Sequence, residues 1–180
     1  MLNFQNDADA FRLFVNEHKD SVFNLILNRV QHLQDAEEIT QDVFTDVYKN
    51  AATFRGEAAV TTWLYRITIN KCIDHLRKKS VRNKWFVLLH NQDGKEDAVN
   101  KTDFYHPGVA IEYKEKNAIL FKAIKQLPEK QYTAWMLFEM NGLSYQEISG
   151  IMNISISSVE SLLFRARQNL KKIILKYYPE

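Results

Sequence analysis

Apolar residues recur at three- and four-residue spacing along two long stretches of this 180-residue chain, and the rhythm lapses between about residues 80 and 112. That pattern favours two small helical domains joined by a flexible linker, an all-α fold. Gly (5) and Pro (3) are scarce, and no stretch alternates apolar and polar residues for long, so strands have little support. The lapse contains NQDGKEDAVNKTDFYHPG, which joins turn formers to scattered charge and reads as a tether. The expected organisation is a first domain over 1–84, a linker over 85–112 and a second domain over 113–180.

Within the first domain, Phe11, Phe14, Val15, Val22, Leu25, Ile26 and Arg29 share one helix face. Asp35 and Glu38 have the spacing of a capping box, so a second helix is expected to start there and to bury Ile39, Val43, Phe44, Val47 and Tyr48 on one side. A third is expected from about Thr62 to Arg77, with Leu64, Ile67, Ile69, Ile73 and Leu76 inward. The apolar run Trp85-Phe86-Val87-Leu88-Leu89 either extends this domain or docks locally. In the second domain Ile119, Leu120, Ala123, Ile124 and Leu127 form a face. Pro128 suits the first position of the next helix, which carries Tyr132, Trp135, Met136, Phe138 and Met140, and Gly142 suits its left-handed stop.

Charge is segregated along the chain. Up to Val60 acids outnumber bases, with ten against five, whereas from Thr61 to His90 there are seven bases (Arg66, Lys71, Arg77, Lys78, Lys79, Arg82, Lys84) against the lone acid Asp74. The C-terminal stretch is basic again through Arg165, Arg167, Lys171, Lys172 and Lys176. One surface for a basic partner and two for a polyanion would use this distribution; solvated helix faces would also produce it. Histidines make no HxxxH or HExxH spacing, Cys72 has no partner cysteine, and glycine-rich phosphate loops and nucleophile motifs are missing. The expectation is therefore no catalytic residue, no metal, no cofactor and no enzyme. Cys72 reads as a small apolar helix residue. No apolar run approaches the ~18 residues of a membrane span, and MLNFQNDADAFR is unlike a signal peptide, so a cytoplasmic protein is expected.

The most specific local pattern is Ser144–Arg167. Ser144 with Glu147, and Ser157 with Glu160, each have capping-box spacing around a short helix (Ile148, Ile151, Met152) and a tight turn, Asn153-Ile154-Ser155. The second helix turns Val159, Leu162, Leu163 and Ala166 inward. This is the layout of a helix-turn-helix, whose second helix presents its first residues to base edges in the major groove; a plain corner of a helix bundle has the same layout. Ser157, Ser158, Glu160 and Ser161 occupy those reading positions, with Arg165, Arg167, Lys171 and Lys172 placed for phosphates.

The stretch from Leu127 to Lys172 resembles region 4 of the extracytoplasmic-function sigma factors. The resemblance is carried by Leu127-Pro128-Glu129, Gly142-Leu143-Ser144-Tyr145-Gln146-Glu147-Ile148, Ser158-Val159, Ser161 and Phe164-Arg165-Ala166-Arg167. It implies a domain that reads the −35 promoter element through Ser157, Ser158, Glu160, Ser161, Arg165 and Arg167. The chain departs from the family at Glu160, where a base is common, and at Leu162, where Arg is common. Glu160 reads as part of a cap, and an acid also accepts from cytosine N4.

From about Phe11 to Lys79 the chain resembles region 2 of the same family. Asp35-Ala36-Glu37-Glu38-Ile39-Thr40-Gln41-Asp42-Val43-Phe44 is similar to the segment that docks on core RNA polymerase. The residues agree: Glu38, Asp42 and Asp46 form an acidic stripe beside Val43, Phe44 and Val47, although a solvated acidic face has the same spacing. Phe54-Arg55-Gly56 followed by Thr62-Trp63-Leu64-Tyr65-Arg66-Ile67 resembles the segment that captures a flipped base of the −10 element. Trp63 is read as core, which leaves capture to the loop from Arg55 to Thr61. Arg55, Gly56, Thr61, Arg66, Asn70, Asp74, Arg77 and Lys78 are the residues expected at the melted strand. The resemblance implies core RNA polymerase, promoter DNA and an anti-sigma factor as partners, with no small-molecule substrate and no insertion in a membrane. A helix-turn-helix regulator working without polymerase would explain the C-terminal half but not the acidic stripe or the FRG and TWLYRI segments.

Overall fold

A computed structural model describes Phe4 and residues 7–56, 58–90, 120 and 122–177, and every regular element among them is helical. The chain divides into two compact units, Met1–Phe104 and Tyr105–Glu180.

In the first unit α1 (Ala8–Val30), α2 (Leu33–Asn50) and α3 (Val60–His90) each pack on the other two, with a 3-10 turn, Ala51–Thr53, after α2. Asp7 caps α1 by accepting the Ala10 N–H at 2.8 Å. Gln31 ends α1 in the left-handed region (φ 54°) and donates its N–H to the Leu27 carbonyl. Phe14, Val22, Ile26, Ala36, Ile39, Val43, Phe44, Val47, Leu64 and Cys72 close on one another as the core. Burial pushes the Cys72 thiol up to about 12, with Arg29 acting in the other direction. Thr68, also buried, donates its hydroxyl to the Leu64 carbonyl at 2.9 Å and so brings no unmet polar group inside.

Three expectations for this unit need correction. Tyr48, read as an inward residue of the second helix, is exposed. The second helix begins two residues before Asp35: His32 is its N-cap, its Nδ1 accepting the Asp35 N–H at 3.2 Å. Asp35 is released from capping and turns to α3, where its carboxylate meets Lys79 at 2.7 Å and His75 at 3.2 Å. The third helix starts at Val60 and runs past Arg77 to His90. Its apolar face fades there, but residues 78–90 hold no Gly or Pro, so nothing in the backbone stops it. Residues 85–90 of the expected linker are thus the end of α3, and the rest of it lies outside the described residues.

In the second unit α4 (Glu129–Trp135) passes into a π-helical turn, Met136–Met140, and is followed by α5 (Tyr145–Met152) and α6 (Ile156–Tyr177). Pro128 stands at the N-cap of α4, one place earlier than expected, and Gly142 (φ 65°) makes the left-handed stop. Ala123, Ile124, Leu127, Tyr132, Met136, Leu137, Ile148, Ile151, Val159, Leu162, Leu163, Ala166 and Leu170 are buried. α6 packs on both α4 and α5, and Asn169 donates to the Gln131 side chain at 2.8 Å between α6 and α4.

Candidate nucleic-acid interface

The turn between α5 and α6 is built from short polar side chains. Ser144 and Glu147 make the expected reciprocal box: the Ser144 N–H donates to the Glu147 carboxylate at 2.8 Å, and the Glu147 N–H donates to the Ser144 hydroxyl at 3.3 Å. The Ser144 hydroxyl and N–H together hold the Glu147 carboxyl below its usual range. Asn153 (φ 53°) ends α5, and the Ser149 hydroxyl donates to the Ile154 carbonyl at 2.6 Å, closing the turn. An asparagine tolerates the left-handed region better than most residues.

The second expected box, Ser157 with Glu160, does not form. The cap of α6 is Ser155, whose hydroxyl accepts the Ser158 N–H at 3.2 Å and lies 3.0 and 2.8 Å from the Ser157 and Ser158 hydroxyls. Starting the helix two residues earlier makes Glu160 a second-turn residue with its carboxylate directed outward. It also draws half-buried Ser158 into the cap, so its hydroxyl is committed to the protein.

Ser157, Glu160, Ser161, Phe164 and Arg165 are exposed on α6, while Val159, Leu162, Leu163 and Ala166 are sealed beneath. Leu162 belongs to the buried face, so its departure from the family pattern concerns packing. Arg165 donates its Nε to the Ser161 carbonyl at 3.1 Å. Arg167 is engaged otherwise than the sequence suggested: it pairs with Glu139 at 3.3 Å and lies 5.6 Å from the Phe138 ring centroid. Counting along one helix cannot reveal a partner 28 residues earlier.

In the first unit, Glu38 and Asp42 are exposed on α2, but Asp46 is half-buried and paired with Lys71 of α3 at 2.7 Å. Val43 and Val47 are fully buried and Phe44 nearly so. They are therefore core residues and cannot border an accessible stripe, a correction that follows from the packing of α2 against both neighbours. The exposed apolar side chains of this helix are Leu33 and Tyr48.

The segment before α3 places Arg55 and Gly56 in the open, with Gly56 at φ 74°. Only the backbone angle calls for glycine here, since nothing lies within 4 Å of where a Cβ would stand. Half-buried Trp63 packs its ring 5.4 Å from that of Phe54 and against the core, and so braces this segment. Further along α3, Asn70, Asp74, Arg77 and Lys78 are exposed, Asp74 and Arg77 being 3.8 Å apart, while Arg66 is half-buried. Thr61 is exposed too, but nine residues of α-helix, about two and a half turns, set it on the opposite side from Asn70. The expected strand-binding residues therefore form two patches: Arg55, Gly56 and Thr61 at the start of α3, and Asn70, Asp74 and Arg77 along it. Among the described residues no group of His, Cys, Asp and Glu could hold a metal ion.

Comparison with known proteins agrees with this architecture. The sequence model of sigma-70 region 2 matches residues 14–82, and that of sigma-70 region 4 matches residues 118–170. The chain is 33% identical over 171 residues to the RNA polymerase sigma-H factor of Pseudomonas aeruginosa, covering 94% of this chain and 89% of that one. It is 32% identical to the ECF RNA polymerase sigma-E factor of Haemophilus influenzae, covering 94% and 90%. Among solved structures, the sigma factor RpoE of Bartonella quintana, in complex with the anti-sigma factor NepR, shares the fold with a TM-score of 0.66 at 19% identity, covering 91% of this chain and 96% of that one. CnrH in complex with the cytosolic domain of CnrY aligns with a TM-score of 0.65 at 18% identity, covering 94% and 90%. With both regions matched in order and relatives aligned over nearly their whole length, the chain belongs to the sigma-70 family of RNA polymerase sigma factors, in its extracytoplasmic-function group.

Proposed function

We propose a division of this sigma factor's work into three tasks spread over four surfaces. The outer face of α2, with Glu38 and Asp42 and with Leu33 and Tyr48 as its apolar part, docks on a basic helical surface of core RNA polymerase. The Arg55–Gly56 segment with Thr61, and the α3 face of Asn70, Asp74 and Arg77 with Lys78 beside it, hold the melted −10 strand. The outer face of α6 reads the −35 duplex through Ser157, Glu160, Ser161 and Arg165. The observation that carries this reading is α6 itself: one face is sealed in the core, and the other presents polar side chains followed by Lys171 and Lys172. That distribution matches a helix lying in a major groove with its cations toward phosphates.

The same faces suit a protein inhibitor, and an anti-sigma factor is the partner we expect to regulate access to them. Of the two structural neighbours named above, the RpoE structure holds an anti-sigma factor and the CnrH structure the cytosolic domain of CnrY. We assign the chain no catalytic activity and place its action in the cytoplasm; among the described residues no helix is long and apolar enough to cross a membrane. The test is transcription by core polymerase with and without the chain on a library of genomic fragments, beside binding of the chain alone to duplex DNA. The expected result is new transcript starts only when both are present, and weak, salt-sensitive binding by the chain alone. Tight, sequence-specific binding without polymerase at physiological salt would point to an autonomous regulator.

A further inference from the structure

Glu160 is the one exposed acid in the first three turns of α6, and the structure gives it no internal task. The cap is Ser155. Glu160 stands beyond the first turn, where interaction with the helix dipole has largely decayed. Among the described residues it enters no ion pair or hydrogen bond. Its neighbours on the outward face are Ser157 and Ser161, whose hydroxyls both donate and accept, and Phe164, 64% exposed. Beyond them come the cations Arg165, Lys171 and Lys172.

We propose that Glu160 determines promoter specificity by selecting a cytosine in the duplex element that α6 reads; this rests on the assignment of α6 to duplex reading made above. A carboxylate brought to DNA is repelled by phosphates and by every acceptor on the base edges, and it is satisfied only by a donor. In the major groove guanine shows two acceptors, thymine one acceptor and a methyl group, and adenine a donor beside an acceptor. Cytosine shows a donor, its N4 amino group, with no acceptor of its own at that edge. An acceptor-only side chain is therefore best met by cytosine and worst by guanine. The serines beside it adapt to either kind of edge, so Glu160 is the strongest discriminator on the first turns. Because the carboxylate is exposed and has no bond to another described residue, substitution there alters DNA choice with little effect on folding.

The experiment uses holoenzyme, core polymerase with the full chain, on promoters randomised across the −35 region with the −10 element held constant. Bound or transcribed templates are sequenced for the wild type and for Glu160→Ala, Glu160→Gln and Glu160→Arg. The wild type is expected to prefer cytosine over guanine at one position by about tenfold or more. Glu160→Ala should flatten that position alone, Glu160→Gln should move it toward adenine and Glu160→Arg toward guanine. The proposal is overturned if all four proteins share one preference at every position, or if the variants lose enrichment equally everywhere. A wild-type holoenzyme that transcribes but enriches no sequence in the randomised region overturns the duplex-reading role of α6 as well, which distinguishes that failure from a pattern indifferent to Glu160.

Discussion

Replacing Asp35 by Asn should loosen the first unit by about 2 kcal/mol. The carboxylate ties the start of α2 to α3 through Lys79 at 2.7 Å and lies 3.2 Å from His75, with side-chain exposures of 17% for Asp35 and 28% for Lys79. A solvent-exposed pair contributes about 0–1 kcal/mol, whereas removing one partner of a fully buried pair costs about 3–5 kcal/mol. This pair lies between those limits. Burial alone would raise the Asp35 carboxyl, but Lys79 and His75 outweigh it and hold the group below its ordinary value. A carboxyl depressed in the folded state stabilises at pH above its unfolded value, about 3.9, and that contribution is lost as pH falls through the lower folded value. The stability gap between wild type and Asp35→Asn should thus shrink as pH falls below about 4. The assay is urea unfolding followed by Trp63 fluorescence in a chain with Trp85 and Trp135 changed to Phe. With a slope of about 1–3 kcal/mol per molar urea, the midpoint should fall by about 1 M. A cycle with Lys79→Met should give a coupling of about 1 kcal/mol. A loss under about 0.5 kcal/mol, or a gap that persists undiminished in acid, would refute the reasoning.

Charge reversal at Glu38 and Asp42 together should weaken co-purification with core polymerase about tenfold or more while circular dichroism remains unchanged; Asp46→Arg should instead lower stability, because it breaks the Lys71 pair. On a template pre-melted over the −10 position, Arg55→Ala and Asn70→Ala should recover part of their lost transcription and Ser161→Ala or Arg165→Ala hardly any; equal rescue of both groups would contradict the separation of roles. Ser144→Ala should cost about 1 kcal/mol by removing the hydroxyl that accepts the Glu147 N–H, while the Ser144 N–H keeps its bond to the Glu147 carboxylate, visible as a lower thermal midpoint with no shift of promoter preference.

What the sequence made legible was periodic or local. The cores of both units, the Ser144–Glu147 box, the Asn153 turn and the Gly142 stop all follow from spacing and from the backbone habits of single residues. What it hid was mostly decided by partners distant in the chain. Nothing near Arg167 in sequence announces Glu139, and nothing near Asp35 announces Lys79. Val43, Phe44 and Val47 read both as buried residues and as the border of a docking stripe, and only the first reading survives once α1 and α3 close over them. The two misplaced helix starts have another origin. An S-x-x-E or D-x-x-E pattern marks two residues, whereas His32 and Ser155 cap α2 and α6 with partners that the pattern does not require. The exposed side chains of the proposed site were found by resemblance more than by physics, since solvated charge and binding charge look alike along a chain.

Cys72 is the sole cysteine, and it is fully buried among α1, α2 and α3. Alkylating and oxidising agents attack the thiolate, and with the thiol pushed up to about 12 that species is scarce at neutral pH. Reaction must then wait for the helices to part, so a thiol reagent added to the native protein reports how often the first unit opens. The same seclusion means that peroxide in the surrounding solution finds no accessible thiol in the closed first unit. Slow labelling that accelerates with mild denaturant would make this one sulfur atom a clock for the breathing of the domain.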